Sequence, residues 1–259
     1  MPPSDFAFDA LAADYDTQFT HSRIGTLMRQ AVWRRLDGCF RPGQRVLELN
    51  CGTGEDAIHL GQQGVRVLAT DLSREMVEIT RRKVARARLT ATVGVQQLAL
   101  EHLHELEAPP FDGVLSNFGG LNCVADLSGV SCALAARLQP GALALLCVMG
   151  PWVPWEWGWF LAHGDPGTAF RRLRPGGVAW RDLTIHYPSI RTLRRAFSPA
   201  FRFCRSSAIG ALLPPPFTES WMVRHPRLLT FLNRWERRLE TLPPLPWLAD
   251  HYLLELKRV

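Results

Sequence analysis

The chain has 259 residues, of which 47% are hydrophobic and 21% charged, and its formal net charge at pH 7 is +6. This composition predicts a folded protein with a full hydrophobic core and argues against a disordered chain. The positive charge comes from arginines scattered along the chain, with no basic stripe interleaved with stacking aromatic residues, so we expect no nucleic-acid partner.

The six cysteines form no CxxC pair and the first ten residues lack the pattern of a signal peptide, so we expect a cytoplasmic protein with reduced thiols. Residues 142–162 are almost continuously apolar and about as long as a membrane span. Prolines, glycines and Glu156 interrupt this stretch, which favours a buried strand followed by an aromatic loop. We therefore expect no integral membrane segment.

Strand and helix patterns alternate through the first part of the chain. The predicted strands are residues 45–50, 65–71, 91–98, 111–117 and 143–149. The predicted helices are residues 55–63, a helix capped by Ser73, and residues 127–138. This alternation indicates a parallel sheet with helices on both faces.

Two aromatic insertions interrupt the later part of the chain. After a Gly176-Gly177 turn we expect a strand at 178–187, a helix from Ser189 to Phe197, a strand at 201–213, a helix at 221–239 and a final strand at 251–257. The predicted fold is a doubly wound α/β sheet of seven mostly parallel strands, with the last strand antiparallel. Its predicted parts are a core with N-terminal cap helices (1–150), a lid insertion (151–188), a core helix and strand (189–213), a second lid insertion (214–248) and the final strand (249–259).

A glycine-rich loop after the first strand carries the strongest chemical signal. Residues 46–54 read VLELNCGTG and a helix follows, which is typical of a nucleotide site because free backbone N–H groups point at the ligand. Asp71 ends the next strand, where a carboxylate can accept hydrogen bonds from both ribose hydroxyls. Gly52, Gly54 and Ala57 also match G-x-G-x-x-A, which leaves an NAD(P)-dependent oxidoreductase as an alternative.

Three further features favour S-adenosyl-L-methionine (SAM) over a dinucleotide. Glu48 lies inside the first strand, where a negative charge suits a cationic ligand better than a pyrophosphate. The segment FDGVLSN, ending at Asn117, has the form of a strand that leads into a ligand-binding loop. The segment LQPG at 138–141 precedes another apolar strand and completes the set.

Together with Ala13-Asp14-Tyr15-Asp16 and ATDLSREM at 69–76, these segments resemble the class I SAM-dependent methyltransferases, in particular the small-molecule branch that includes quinone-biosynthesis enzymes. The resemblance implies SAM as cofactor and S-adenosyl-L-homocysteine (SAH) as product. It implies that Gly52 and Gly54, with Glu48 and the loop residue Cys51, hold the methionine part of SAM, and that Asp71 holds the ribose. It also places Leu72 and Met76 against the adenine, Tyr15 over the cofactor and the Asn117 carbonyl at the SAM ammonium.

The sequence departs from the family pattern at two positions. Asn50 replaces the first glycine of the loop, which is tolerable because Asn adopts the left-handed backbone better than most residues. Ala99 stands where an Asp often binds the adenine amine. We therefore expect the backbone of Ala99 and Leu100, or the Glu101 carboxylate, to contact the adenine.

The insertions leave from the carboxyl edge of the predicted sheet, so we expect them to cover a dry pocket for a small apolar or aromatic molecule. Candidates for a general base, if one is needed, are His186, Tyr187 and His251, and also Glu156 or His163. The sequence shows no ligand spacing for a metal. A non-catalytic scaffold or sensor with this fold, or an enzyme catalysing another reaction on it, remains an alternative. The oligomeric state is not predicted.

Overall fold

A computed structural model of the chain describes residues 8–9, 12 and 15–259. The predicted Ala13-Asp14 part of the N-terminal motif lies outside the described residues. The longer helices are α1 Arg23–Cys39, α2 Glu55–Gln62, α3 Arg74–Arg86, α4 Leu127–Arg137, α5 Pro154–Ala162, α7 Ile190–Phe197 and α9 Pro226–Leu239; the short helices are α6 Pro166–Ala169 and α8 Glu219–Met222. The strands are β1 Arg45–Leu49, β2 Arg66–Asp71, β3 Val93–Gln97, β4 Phe111–Ser116, β5 Leu138–Met149, β6 Val178–Trp180, β7 Leu183–Ile185, β8 Phe201–Ile209 and β9 His251–Arg258.

Seven strands form one sheet in the order β3-β2-β1-β4-β5-β9-β8. The pairs from β3 to β5 are parallel, and β9 runs antiparallel between β5 and β8. The predicted α/β fold, including its antiparallel last strand, is confirmed. Strands β6 and β7 form a separate hairpin.

The sheet is buried on both faces because helices cover both sides. Along β5, Ala144, Leu146 and Val148 belong to one hydrophobic core, whereas Leu145 and Cys147 belong to the other. This alternation follows from the pleat, which turns successive side chains to opposite faces. None of the described helices is both long and apolar enough to cross a membrane.

The helix starts follow the capping signals in the sequence. The Ser73 hydroxyl accepts a hydrogen bond from the Met76 N–H at 3.1 Å, and the Ser189 hydroxyl accepts one from the Thr192 N–H at 3.1 Å. Each bond satisfies an N–H that the first turn of a helix leaves without a partner. Both predicted helix starts are therefore confirmed.

The insertions differ from their prediction in three ways. The expected aromatic loop contains helix α5. Pro154 is compatible with this helix because it lies in the first turn, where the N–H group that proline lacks would have no partner within the helix. The expected strand at 178–187 is a hairpin, with Arg181 at a φ of 51° in its turn. The helix expected at 221–239 is divided into α8 and α9, and Pro226 starts the second helix.

Two strand boundaries differ from their prediction by four or five residues. Strand β5 begins at Leu138 rather than at residue 143, and its pairing with β4 shifts register between Phe111 and Gly113. Strand β8 ends at Ile209 rather than at residue 213. The next residues turn away from the sheet because the Glu236 carboxylate accepts hydrogen bonds from four of their backbone N–H groups, at 2.5–3.1 Å.

Candidate functional site

A cavity of about 370 Å³ lies at the carboxyl ends of β1, β2 and β4. This is the edge at which open α/β sheets bind their ligands. The strand ends contribute the following lining residues: Asn50, Cys51, Gly52, Thr53, Asp71, Leu72, Asn117 and Phe118.

The loop after β1 presents its backbone to this cavity. Asn50 and Gly52 both have a φ of 54°, so the Asn at the first position does adopt the left-handed backbone. A Cβ atom added to Gly52 would meet no atom within 4 Å, whereas one added to Gly54 would lie 2.5 Å from the Thr80 methyl group. Gly54 is therefore needed for packing, and Gly52 leaves open a space beside the loop that a ligand can fill.

Asp71 ends β2 beside this loop. Its Oδ2 accepts a hydrogen bond from the Gly52 N–H at 2.8 Å, and its Oδ1 accepts one from the Ser73 N–H at 2.9 Å. Burial raises the pKa of Asp71 to about 6, although these two N–H groups oppose the shift. Each oxygen has a second lone pair, so the carboxylate can accept two further hydrogen bonds.

Helix α1 contributes a buried cation to the cavity wall. The Arg29 Nη1 donates to the Asp56 Oδ2 at 2.8 Å, and the Asn117 Nδ2 donates to the same oxygen at 2.8 Å. Burial lowers the pKa of Arg29, but Asp56 and the other acidic groups nearby together outweigh this effect and raise the pKa, so the guanidinium stays charged. Its Nε is buried and has no hydrogen-bond partner among the described residues. Asp56 thus fixes the position of a charged guanidinium whose Nε–H can still donate a hydrogen bond to a ligand.

The sequence analysis did not identify Arg29 or Asp56. No local motif marks Arg29, and only its position on the buried face of an amphipathic helix could have distinguished it from the other arginines. Asp56 follows the glycine loop inside α2, where an acidic residue near a helix N-terminus has an ordinary structural explanation.

Glu48 lies beneath the loop rather than in the cavity wall. It is buried within β1, and its Oε2 has no hydrogen-bond partner among the described residues. Burial raises the pKa of Glu48 well above its usual value, which favours the neutral acid. Glu48 could therefore support the methionine part of SAM only indirectly, by holding the loop in position.

Most of the other residues expected at the cofactor reach the cavity. Tyr15, Leu72, Met76, Leu100 and Glu101 line it. Ala99 and Gly54 do not line it. Leu100 begins a short 3-10 helix, and Ala99 is the extended residue before it. Leu100 and Glu101 therefore face the cavity in place of Ala99.

The first insertion covers the cavity through its hairpin. Trp180, Leu183, Ile185 and Tyr187 line the cavity, and the Trp180 ring lies 5.5 Å from the Phe8 ring. No residue of the second insertion lines it. Aromatic residues of the two insertions instead pack on each other, with Phe160 5.0 Å from Phe217 and Trp159 6.2 Å from Trp221.

Among the candidate bases, only Tyr187 lines the cavity. Burial raises the pKa of Tyr187, so it is a neutral phenol near pH 7 that can donate a hydrogen bond. His251 is buried behind Phe118, with ring centroids 5.5 Å apart, and its Nδ1 lies 3.1 Å from the Asp250 Oδ2. His186 is held through its backbone, because its N–H donates to the Asn122 carbonyl at 2.7 Å.

The two remaining candidates have structural roles. Glu156 is buried in an ion pair with Arg172, at 2.8 Å, and Arg172 also binds Asp250 at 2.5 Å. His163 stacks on Trp159 outside the cavity. Of the five candidate bases, Tyr187, two residues after the hairpin, is therefore the one that reaches the cavity.

Known proteins share both sequence and fold with this chain. Residues 46–141 match the family described as "Methyltransferase domain". A demethylmenaquinone methyltransferase from Clavibacter sepedonicus is 30% identical over 146 residues, which cover 54% of this chain and 55% of the relative. One from Beutenbergia cavernae is 32% identical over 169 residues, covering 61% and 65% respectively. The chain thus spans little more than half the length of the first of these curated relatives.

The fold comparison extends beyond the matched region. A SAM-dependent methyltransferase structure from Mesorhizobium loti superposes with a TM-score of 0.57 at 18% identity, covering 87% of this chain and 97% of the other. The likeness includes the seven-stranded sheet whose carboxyl edge holds the cavity. Residues 46–141 are thus a methyltransferase domain, and the chain as a whole has a fold similar to that of SAM-dependent methyltransferases.

Proposed function

We propose that the protein transfers a methyl group from SAM to a small, neutral apolar or aromatic molecule. The observation that carries the proposal is the open space beside Gly52, next to the Asp71 carboxylate and inside a largely apolar cavity. Bound SAM would supply a methyl group on a cationic sulfur, which is already activated for in-line displacement by a nucleophile.

The cavity residues fit the three parts of SAM. Asp71 would accept hydrogen bonds from the ribose hydroxyls with its remaining lone pairs. Leu72, Met76 and Leu100 form an apolar surface suited to the adenine ring. The Arg29 guanidinium, held by Asp56, would balance the methionine carboxylate, because such charge-assisted hydrogen bonds are among the strongest in proteins.

The rest of the cavity indicates the class of acceptor. Phe118, Val124, Met149 and the hairpin residues Trp180, Leu183 and Ile185 are apolar, and Tyr187 is the neutral donor among them. A charged acceptor would lose its hydration on this side without a partner, which is costly. The two demethylmenaquinone methyltransferases support an aromatic acceptor, so a reduced quinone or another phenol is the class to test first.

The chain's own residues would act mainly by positioning and by excluding water. The hairpin covers the cavity, and the Tyr187 hydroxyl would orient an oxygen of the acceptor. Because Tyr187 is protonated near neutral pH, we assign it no role as a base. A phenol or quinol acceptor would bind in its neutral form, and its proton would leave to solvent as the bond to the methyl group forms.

The test is a turnover assay with SAM that carries a deuterated methyl group and a panel of acceptors, read by mass spectrometry. We expect labelled product from a neutral quinol or phenol, and none from amino acids of similar size. Asp71→Asn should reduce the product.

An oxidoreductase would instead bind NAD(P)H and leave SAM unused, and a scaffold or sensor would bind SAM without forming labelled product from any acceptor. Unlabelled but altered acceptor would indicate another reaction on this fold.

A further inference from the structure

Helix α9 presents an exposed surface that the proposed reaction does not use. The side chains of Leu228, Phe231 and Trp235 are 39%, 57% and 40% exposed, and their spacing of three and four residues places them along one side of the helix. A neighbouring side of the helix buries Leu229 and Glu236 against the protein. Large apolar side chains in such a row on a surface helix usually contact another molecule.

The charge on this helix has a single sign at the surface. Arg227, Arg234 and Arg238 are exposed beside the apolar row, and Arg224 and Arg237 are exposed nearby. No carboxylate of the described residues forms an ion pair with any of these five arginines. The guanidinium of Arg238 lies 5.5 Å from the Trp235 ring centroid, so charge and apolar surface are in contact.

The three acidic residues of the second insertion are all engaged in bonds within the protein. Glu219 accepts hydrogen bonds from the N–H groups of Arg23 and Ile24, at 2.8 and 3.0 Å. Glu236 is buried and binds the backbone after β8, and Glu240 pairs with Arg34 at 3.1 Å. The insertion therefore presents arginine and apolar side chains to solvent, although it also contains carboxylates.

We propose that this surface, formed by Leu228, Phe231, Trp235 and the five neighbouring arginines, binds an anionic lipid membrane. An amphipathic helix of this kind lies in the plane of the interface, with its apolar residues in the acyl boundary and its arginines at the lipid phosphates. The long arginine side chains reach the headgroups while their stems stay in apolar surroundings. An RNA backbone would match the arginines but would leave the aliphatic and aromatic row exposed.

The experiment measures co-sedimentation with vesicles of phosphatidylglycerol and phosphatidylcholine, and with vesicles of phosphatidylcholine alone. One variant carries Arg227→Gln, Arg234→Gln and Arg238→Gln, and another carries Phe231→Gln and Trp235→Gln. The matched control carries Arg191→Gln, Arg195→Gln and Arg202→Gln, which removes the same charge from exposed positions on α7 and β8. Circular dichroism and titration with SAH check that every variant is folded and binds its cofactor.

We expect the wild-type protein and the control to bind the anionic vesicles, with binding that weakens in high salt. Both α9 variants should bind at least about tenfold more weakly. The arginine variant loses electrostatic attraction to the anionic lipids. The Phe231 and Trp235 variant loses apolar area that the membrane would bury. Failure of the wild-type protein to bind, or an equal loss in the control, would overturn the proposal. So would RNA binding lost only in the arginine variant, or a dimer that only the apolar variant dissociates, because either would identify a different occupant.

Discussion

In the proposed binding mode, cofactor recognition depends most directly on Asp71. Replacing it by Asn keeps the shape but removes the charge and one acceptor. We expect the affinity for SAH to fall by about 1.5–3 kcal/mol, the contribution of hydrogen bonds to a charged group. Calorimetric titration of wild type and Asp71→Asn measures the difference, with thermal unfolding as a control for the fold. Equal affinities would refute the ribose assignment.

The same residue predicts how cofactor binding depends on pH. Because burial raises the pKa of Asp71 to about 6, the acid is protonated below that value and can accept fewer hydrogen bonds. The affinity for SAH should therefore rise as the pH increases through about 6, and this rise should be absent in Asp71→Asn. The stability of the protein without ligand should change with pH in the opposite direction. A raised pKa means that the folded state binds the proton more tightly than the unfolded state. The contribution of Asp71 to the free energy of unfolding therefore falls as the pH rises from its ordinary pKa, about 4, to about 6.

Gly52 tests whether the loop binds a ligand or only turns the chain. A valine here would place its methyl groups in the open space beside the loop, and its left-handed backbone would be strained. We expect Gly52→Val to abolish detectable SAH binding. Titration of protein whose circular dichroism matches wild type provides the measurement. Normal SAH binding by the folded variant would show that the loop is only a structural turn.

At the scale of elements, the β6–β7 hairpin should be the mobile cover of the cavity. Its strands pair over only three residue pairs, and Asn122 holds its base by donating to the His186 carbonyl at 2.6 Å. We expect its amides to exchange hydrogen rapidly without ligand and to gain protection with SAH and acceptor, whereas β4 stays protected throughout. Mass spectrometry of exchanged peptides measures this. A hairpin as protected as β4 in the free protein would contradict a moving cover.

The turn after β8 depends on Glu236, which lies on α9. Its carboxylate binds four backbone N–H groups of residues 210–213, so Glu236→Gln would leave donors unsatisfied and oppose them with its own NH₂ group. We expect a loss of about 2–3 kcal/mol in the free energy of unfolding, measured by urea denaturation. Glu240→Gln removes only a partly exposed ion pair and should cost less than about 1 kcal/mol. Similar losses in the two variants would contradict this role of Glu236.

Local signals in the sequence predicted the elements that depend on local chemistry. Ser73 and Ser189 start helices because their hydroxyls accept bonds from N–H groups three residues later, a pattern visible in the sequence. The hairpin was not predicted, because its apolar residues pack on distant segments and show no clear period. The break before Pro226 does have a local signal, since proline interrupts a helix, but the prediction of one helix at 221–239 overlooked it. Glu236 illustrates the difference, since the end of β8 is set by a side chain 23–26 residues away along the chain.

At the scale of the whole molecule, the order of the sheet brings the site together. Parallel strands β1, β2 and β4 end at one edge, so the glycine loop, Asp71 and Asn117 meet there, as the sequence predicted. The contribution of α1 could not be predicted in the same way. Arg29 reaches the cavity only because its helix packs against α2, where Asp56 binds it, and a contact between residues 27 positions apart leaves no local pattern.

The central claim is that the cavity at the carboxyl edge binds SAM. A crystal structure of the protein grown with excess SAH tests it most directly. We expect the ribose at Asp71, the adenine against Leu72, Met76 and Leu100, and the methionine carboxylate at Arg29. SAH bound elsewhere on the protein, or a cavity left empty at saturating SAH, would contradict the account.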